Sequence, residues 1–279
     1  MSGPEMSQIS PEICAKIVQF VGFASDLASL SRVCKAFQAS AQARLFKEII
    51  LQDPETTYLV CQSINGKNGR LGSFVRRFWM VRDARRMRDT RSSMSRTIWQ
   101  EIHNALRNMA NLQFLQIQDP TASNSWILAS PFPEFQLLEV NIEFMWDANV
   151  VSFLQTQKRL RYLQSLDSME DGPPCPVPSG ALKTLESYNG PILIANELLG
   201  SPLIHLQVMT DEESVLLMPN ILSDLGSINK SLRSLSILFL PQEILLEALQ
   251  LISRSAFVNN LRYLGLLPLP VMDVCIYWL

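Results

Sequence analysis

The chain predicts an α/β repeat fold: a unit of three short helices at the N-terminus, then an irregular solenoid of strands and return helices. Three patterns lead there. Compact amphipathic segments fill residues 9–51, an L-x-x-L-x-[apolar] frame recurs between Leu112 and Leu266, and apolar residues at helical spacing occupy stretches between the frames.

The N-terminal unit reads element by element. Ser10 is placed to cap a first helix, Pro11 suits its first position, and Glu12 complements the positive end of the dipole. Ile13, Ile17 and Val21 come next at four-residue spacing, and Gly22 ends the helix. Asp26 can cap a second helix carrying Leu27, Leu30 and Val33, and a third shows Phe37, Ala41 and Leu45 one turn apart. So small a unit carries more apolar surface than it can bury alone. That points to a docking module whose core a partner completes, the alternative being an ordinary three-helix bundle.

The spacing resembles the F-box, in the form found in F-box proteins with a leucine-rich repeat tail. The matching residues are Ile9-Ser10-Pro11-Glu12-Ile13, Ile17, Asp26-Leu27-x-x-Leu30, Val33-Cys34-Lys35-x-Phe37 and Leu45-Phe46. Ile9 stands where the family usually has Leu, Ser10 where it has a first Pro, and Phe37 where many members have Trp. The resemblance implies that residues 9–51 dock onto a Skp-type adaptor and through it a cullin. The implied adaptor contacts are Ile9, Pro11, Glu12, Ile13, Leu27, Leu30, Val33, Cys34 and Phe37. It further implies a substrate-recognition subunit of a cullin-RING (SCF-type) ubiquitin ligase, with the repeats holding a client protein that the sequence does not name. An F-box scaffold acting outside ubiquitination is the alternative within the same resemblance.

Beyond residue 110 the chain repeats. The frame falls on Leu112-Leu115-Ile117, Phe135-Leu138-Val140, Leu160-Leu163, Leu182-Leu185, Leu203-Leu206-Val208, Leu232-Leu235-Ile237 and Leu261-Leu264-Leu266. Starting positions lie 23, 25, 22, 21, 29 and 29 residues apart, on the leucine-rich repeat period. An earlier unit is placed at Leu71-x-x-Phe74. Each frame predicts a strand with alternate residues facing inward, and stacking is obligatory because one repeat cannot bury its own edge. Returns at 95–109, 149–160 and 242–256 read as helices; in the last, Ile244, Leu245, Ala248, Leu249 and Ile252 form a stripe against the sheet. The asparagine or cysteine that usually comes after the frame is absent, and the repeats at 160 and 182 lack a third apolar residue. Hence an irregular, leucine-rich-repeat-like solenoid is expected; an unrelated α/β domain with leucine-rich strands is the alternative. The expected organisation is a disordered 1–8, the helical unit at 9–51, a connecting segment and possible first repeat at 52–110, and the repeat domain at 111–279.

Charge is unevenly spread. Residues 1–96 hold 15 Lys and Arg against 8 Asp and Glu, or +7, while 97–279 hold 9 against 18, or −9. Nine arginines lie between Arg70 and Arg96, and residues 82–94 lack any apolar period, so an exposed Arg-rich loop is expected there. A solvated face is favoured, with phosphopeptide capture ranked above nucleic acid as the functional alternative. Phe74, Phe78 and Trp79 precede the densest charge and read as a buried strand.

Catalytic chemistry finds little support. The two histidines, His103 and His205, have no Cys, Asp or Glu at ligand spacing, and no phosphate-binding, nucleophile-elbow or zinc-protease motif occurs, so neither enzyme activity nor a cofactor or metal is expected. Glu170-Asp171 and Asp211-Glu212-Glu213 read as solvated turn acids. Five scattered cysteines without a C-x-x-C pair suit a reducing compartment, and no apolar run approaches membrane-span length, so a cytoplasmic or nuclear protein without membrane contact is expected. The apolar end, Val271 to Leu279, offers no polar cap, and is expected to be a truncated solenoid or a surface covered by another chain.

Overall fold

The computed structural model describes residues 9–81, 94–131, 135–166, 175–211 and 214–268. Residues 1–8, most of the Arg-rich loop, the acid pairs at 170–171 and 212–213, and the apolar segment 271–279 lie outside the described residues.

Three helices open the chain: α1 (Pro11–Gln19), α2 (Ala24–Leu30) and α3 (Lys35–Leu45). Ser10 caps α1 by accepting from the Ile13 N–H at 3.4 Å, and the helix ends on Phe20, two residues before Gly22. Asp26 is not the cap of α2. Phe23 holds that position, and Asp26 sits in the first turn, where its charge still favours the dipole. Cys14, Val18, Leu27, Phe37 and Ala41 form a small core separate from the main one.

Nine strands then build one all-parallel sheet, each beside its sequence neighbour: β1 (Glu48–Leu51), β2 (Arg77–Met80), β3 (Phe114–Gln118), β4 (Glu139–Glu143), β5 (Tyr162–Ser165), β6 (Ser187–Pro191), β7 (His205–Met209), β8 (Ser234–Leu240) and β9 (Tyr263–Pro268). Helices α4 (Pro54–Asn65), α5 (Arg96–Arg107), α6 (Ala148–Thr156), α7 (Ile192–Glu197), α8 (Met218–Ile228) and α9 (Gln242–Arg254) make returns between strands. This is the leucine-rich-repeat-like solenoid the period predicts. Its sheet starts earlier than the repeat pattern shows, because Ile49 pairs with Phe78 and Leu51 with Met80.

Register fixes which residues face the core. One buried row runs Ile49, Phe78, Leu115, Val140, Leu163, Tyr188, Leu206 and Leu235, with the more exposed Leu264 on β9, the last described strand. Trp99 of α5 seals the interior, its ring 6.3 Å from Phe144 in an edge-on arrangement. On α9, Ala248 and Ile252 are buried and Ile244 and Leu245 pack at the core's margin, whereas Leu249 is exposed and does not belong to the inward stripe.

Three frames are displaced from their expected positions. The second is Leu137-Val140-Ile142, since Val140 and not Leu138 pairs with Leu115. The fourth is Leu185-Tyr188-Gly190, because Tyr188 pairs with Leu163, and the early unit is Val75-Phe78-Met80. Phe135, Leu182 and Leu71 are themselves buried in the approaches to those strands, so hydrophobicity could not separate approach from strand. Only the pairing does, since a one-residue slip would send every core side chain to solvent. The two repeats without a third apolar residue are explained by Tyr188. Its ring is fully buried and its hydroxyl donates to the Pro191 carbonyl at 3.1 Å. A Cβ at Gly190 would lie 2.4 Å from both that hydroxyl and the Ser165 carbonyl. Small neighbours therefore make room for one large ring.

The corrected register predicts that Leu137→Ala destabilises by about 2–5 kcal/mol, as for a fully buried leucine. Leu138→Ala, at a half-buried site, should cost about 1 kcal/mol. Urea unfolding with an unchanged slope checks the order; equal losses would mean that the strand is shifted.

Candidate protein-docking surfaces

Helix α1 turns one flank inward and leaves another bare. Cys14 and Val18 are enclosed, while Ile9, Ile13, Ile17 and Phe20 remain 53%, 52%, 41% and 88% exposed. Phe23 and Val33 add exposed apolar area at 73% and 65%. Pro11, Glu12 and Cys34 are also exposed. The Glu12 carboxyl is held below its usual range by its own backbone N–H and by the Ser10 hydroxyl. Leu27 and Phe37 are buried inside the unit, and Leu30 packs against them half-buried. The nine motif residues thus divide into an outward set and an inward set that holds the helices together.

Exposing so much apolar surface on a unit with five buried core residues is unfavourable in water and typical of a surface that another chain covers. Phe20 and Phe23 lie outside the motif. Phe20 carries a signal nonetheless, since Ile13, Ile17 and Phe20 keep spacings of four and three along α1 and its C-cap, while Ile9 precedes the N-cap.

The second surface is the sheet face turned away from the core. Paired positions from β4 to β9 give one row of Glu139, Tyr162, Ser187, His205, Ser234 and Tyr263, and beside it Asn141, Gln164, Asn189, Gln207, Ser236 and Gly265. All of these residues except Gly265 line an open trough of ≈ 350 Å³. Asn141 Nδ2 donates to Gln164 Oε1 at 3.1 Å, yet Asn141 Oδ1 and Asn189 Oδ1 are shielded from solvent without a hydrogen-bond partner among the described residues. Toward β1 the face closes: Trp79 and Phe114 lie 5.2 Å apart, and Arg77 sits over Phe114 while pairing with Glu48 at 3.7 Å.

Several other polar groups have structural work. Asp119 is buried and accepts from the backbone N–H groups of Thr121 and Asn124 and from both side chains. His103 Nδ1 donates to the Ile127 carbonyl at 2.9 Å, as a structural histidine would. Arg70 hydrogen-bonds Gln42 and lies over Phe74. Among the described residues no three His, Cys, Asp or Glu side chains are grouped to hold a metal, and no helix is long and apolar enough to cross a membrane. The chain matches no model of a known protein family, and no curated protein matches it.

Thiol accessibility offers a direct check on this geometry. Cys34 is exposed, Cys14 is enclosed with its thiol pushed up by desolvation, and burial beside Glu101 pushes Cys61 up to about 12. Because the thiolate is the reactive form, iodoacetamide at neutral pH should modify Cys34 in the folded protein and spare Cys14 and Cys61. Peptide mapping reads the result, and rapid modification of Cys14 would mean that the three-helix core is open.

Proposed function

We propose that this chain is the substrate-recognition subunit of a cullin-RING ubiquitin ligase. The N-terminal unit docks onto a Skp-type adaptor, and the repeat domain holds a client protein. The observation that carries the reading is the exposed apolar set of Ile9, Ile13, Ile17 and Phe20, on a unit whose sequence spacing resembles an F-box. In this reading the chain's contribution is one of proximity. The adaptor joins the chain to the cullin, and the client is presented to a ubiquitin-charged enzyme on the same scaffold. A cytoplasmic or nuclear location goes with that role.

The sheet face suits the client because its outward residues can vary without disturbing the leucine rows behind them. The arginine reading gains nothing specific: Arg70 and Arg77 are occupied within the fold, and residues 82–93 lie outside the described residues.

Pro11→Ala combined with Ile13→Ala should abolish co-purification with the adaptor, since central apolar anchors cost on the order of 2 kcal/mol or more each when truncated. Both residues are exposed, so the melting temperature should scarcely move. A folded double mutant that retains wild-type adaptor binding would overturn the F-box assignment.

A further inference from the structure

Two features of the sheet face share one period. In the first row, rings stand on alternate strands, Tyr162 on β5, His205 on β7 and Tyr263 on β9, with Ser187 and Ser234 between them. In the second row, the amides whose oxygens lack a partner, Asn141 and Asn189, also stand on alternate strands, β4 and β6. Neighbouring strands lie about 4.8 Å apart, so both features recur every ~9.6 Å across the sheet. The seat of the last ring is specific. A Cβ at Gly265 would fall 3.0 Å from the Tyr263 hydroxyl, so the phenol lies down over a residue that has no side chain.

We propose that this trough binds a polyproline II segment of the client, with proline at every third residue, running across β5 to β9; the proposal rests on reading the sheet face as the client surface. A polyproline II helix has three residues per turn and rises about 9.3 Å per turn, which matches the spacing of the ring-bearing positions across the sheet. Successive prolines then enter the two bays over Ser187 and Ser234, each between a pair of rings. Proline-rich chains are recognised in this way by aromatic-lined grooves. An extended β-strand fits poorly, because its same-side repeat is about 6.7 Å.

Hydrogen bonding matches as well. A polyproline II backbone makes no internal hydrogen bonds, so its carbonyls can accept from the amide groups of Gln164 and Gln207. Within that run, Asn189 on β6 can turn its unpartnered Oδ1 outward to accept from the N–H of a non-proline residue. Charge argues in the same direction. Glu139, at one end, is the single carboxylate lining the trough, and no Lys or Arg lines it among the described residues. A neutral chain is accommodated, whereas a phosphorylated peptide or nucleic acid would find Arg161, 5.9 Å from the Tyr162 ring, already paired with Glu186 at 2.6 Å.

Fluorescence anisotropy with the full chain tests this, using a labelled neutral twelve-residue peptide of Pro-Ala-Ser repeats. A permuted peptide of the same composition, without prolines three apart, and a phosphoserine peptide are the comparisons. The repeat peptide should bind saturably and the other two should not. Tyr162→Ala and Tyr263→Ala should each weaken binding about tenfold or more, the loss expected of an aromatic anchor. Tyr263→Phe keeps the ring and should bind nearly as the wild type does. Equal binding of the permuted peptide, preference for the phosphopeptide, or indifference to the ring variants would overturn the proposal.

Its failure is separable from failure of the client-face reading. If no repeat peptide binds, yet Asn141→Ala and Tyr263→Ala strip the proteins that co-purify with the wild-type chain, the peptide class is wrong and the face stands. If those proteins are also unaffected, both fall.

Discussion

Strict alternation along parallel strands is the constraint on which the rest of this molecule depends. Each strand sends one set of side chains into the leucine rows and leaves the other set outside, and sheet pairing forbids a slip that would exchange them. Returns can therefore vary greatly in length. Phe78 and Leu115 are partners across the whole of α5 and the Arg-rich segment, while Tyr188 and Leu206 are partners across little more than the short α7. The core tolerates this because each unit needs only to deliver its inward residues in register. Where one residue is too large, its neighbours shrink, as Ser165 and Gly190 do around Tyr188.

The same constraint makes the outer face a set of ordered rows rather than a scatter of polar groups. Side chains on adjacent strands stand one strand spacing apart, so any pattern in residue size or hydrogen-bonding capacity becomes a ruler in space. The N-terminal unit has no such sheet to complete. Its helices enclose five residues and leave α1's other flank in water, which makes association its route to a larger core. An exposed apolar helical face and a polar sheet face are chemically different surfaces, and the chain offers one of each.

Much of this is legible in the order of residues. Ser10, Pro11 and Glu12 announce the first helix, and the frames at Leu112, Leu160, Leu203, Leu232 and Leu261 fall where the strands are. Frames anchored on Phe135 and Leu182 miss because the chain is already buried before those strands begin, and a pattern of apolar residues has no means of marking the start of pairing. On α1 the stripe of Ile13 and Ile17 is visible as a stripe, but Cys14 and Val18 are the residues the unit encloses; two apolar flanks on one helix leave open which faces inward. Helix α4 escapes the periodicity argument although Asp53, Pro54 and Glu55 form a good start signal, with Asp53 accepting from the Thr56 N–H at 2.8 Å. The amide row is illegible for a different reason. Asn141, Gln164, Asn189 and Gln207 are far apart in sequence, and only the register brings them side by side.

Hydrogen–deuterium exchange of the purified chain, alone and saturated with a Skp-type adaptor, tests the division of labour most directly. Local opening of a small unit is frequent, and a partner that completes its core slows exchange. Peptides covering Pro11–Gln19 and Ala24–Leu30 should slow by about tenfold or more on binding, while the strands from Glu139 to Leu240 keep their rates. Unchanged exchange across residues 9–46, or protection confined to the sheet, would contradict the assignment of the N-terminal helices as the adaptor-docking surface.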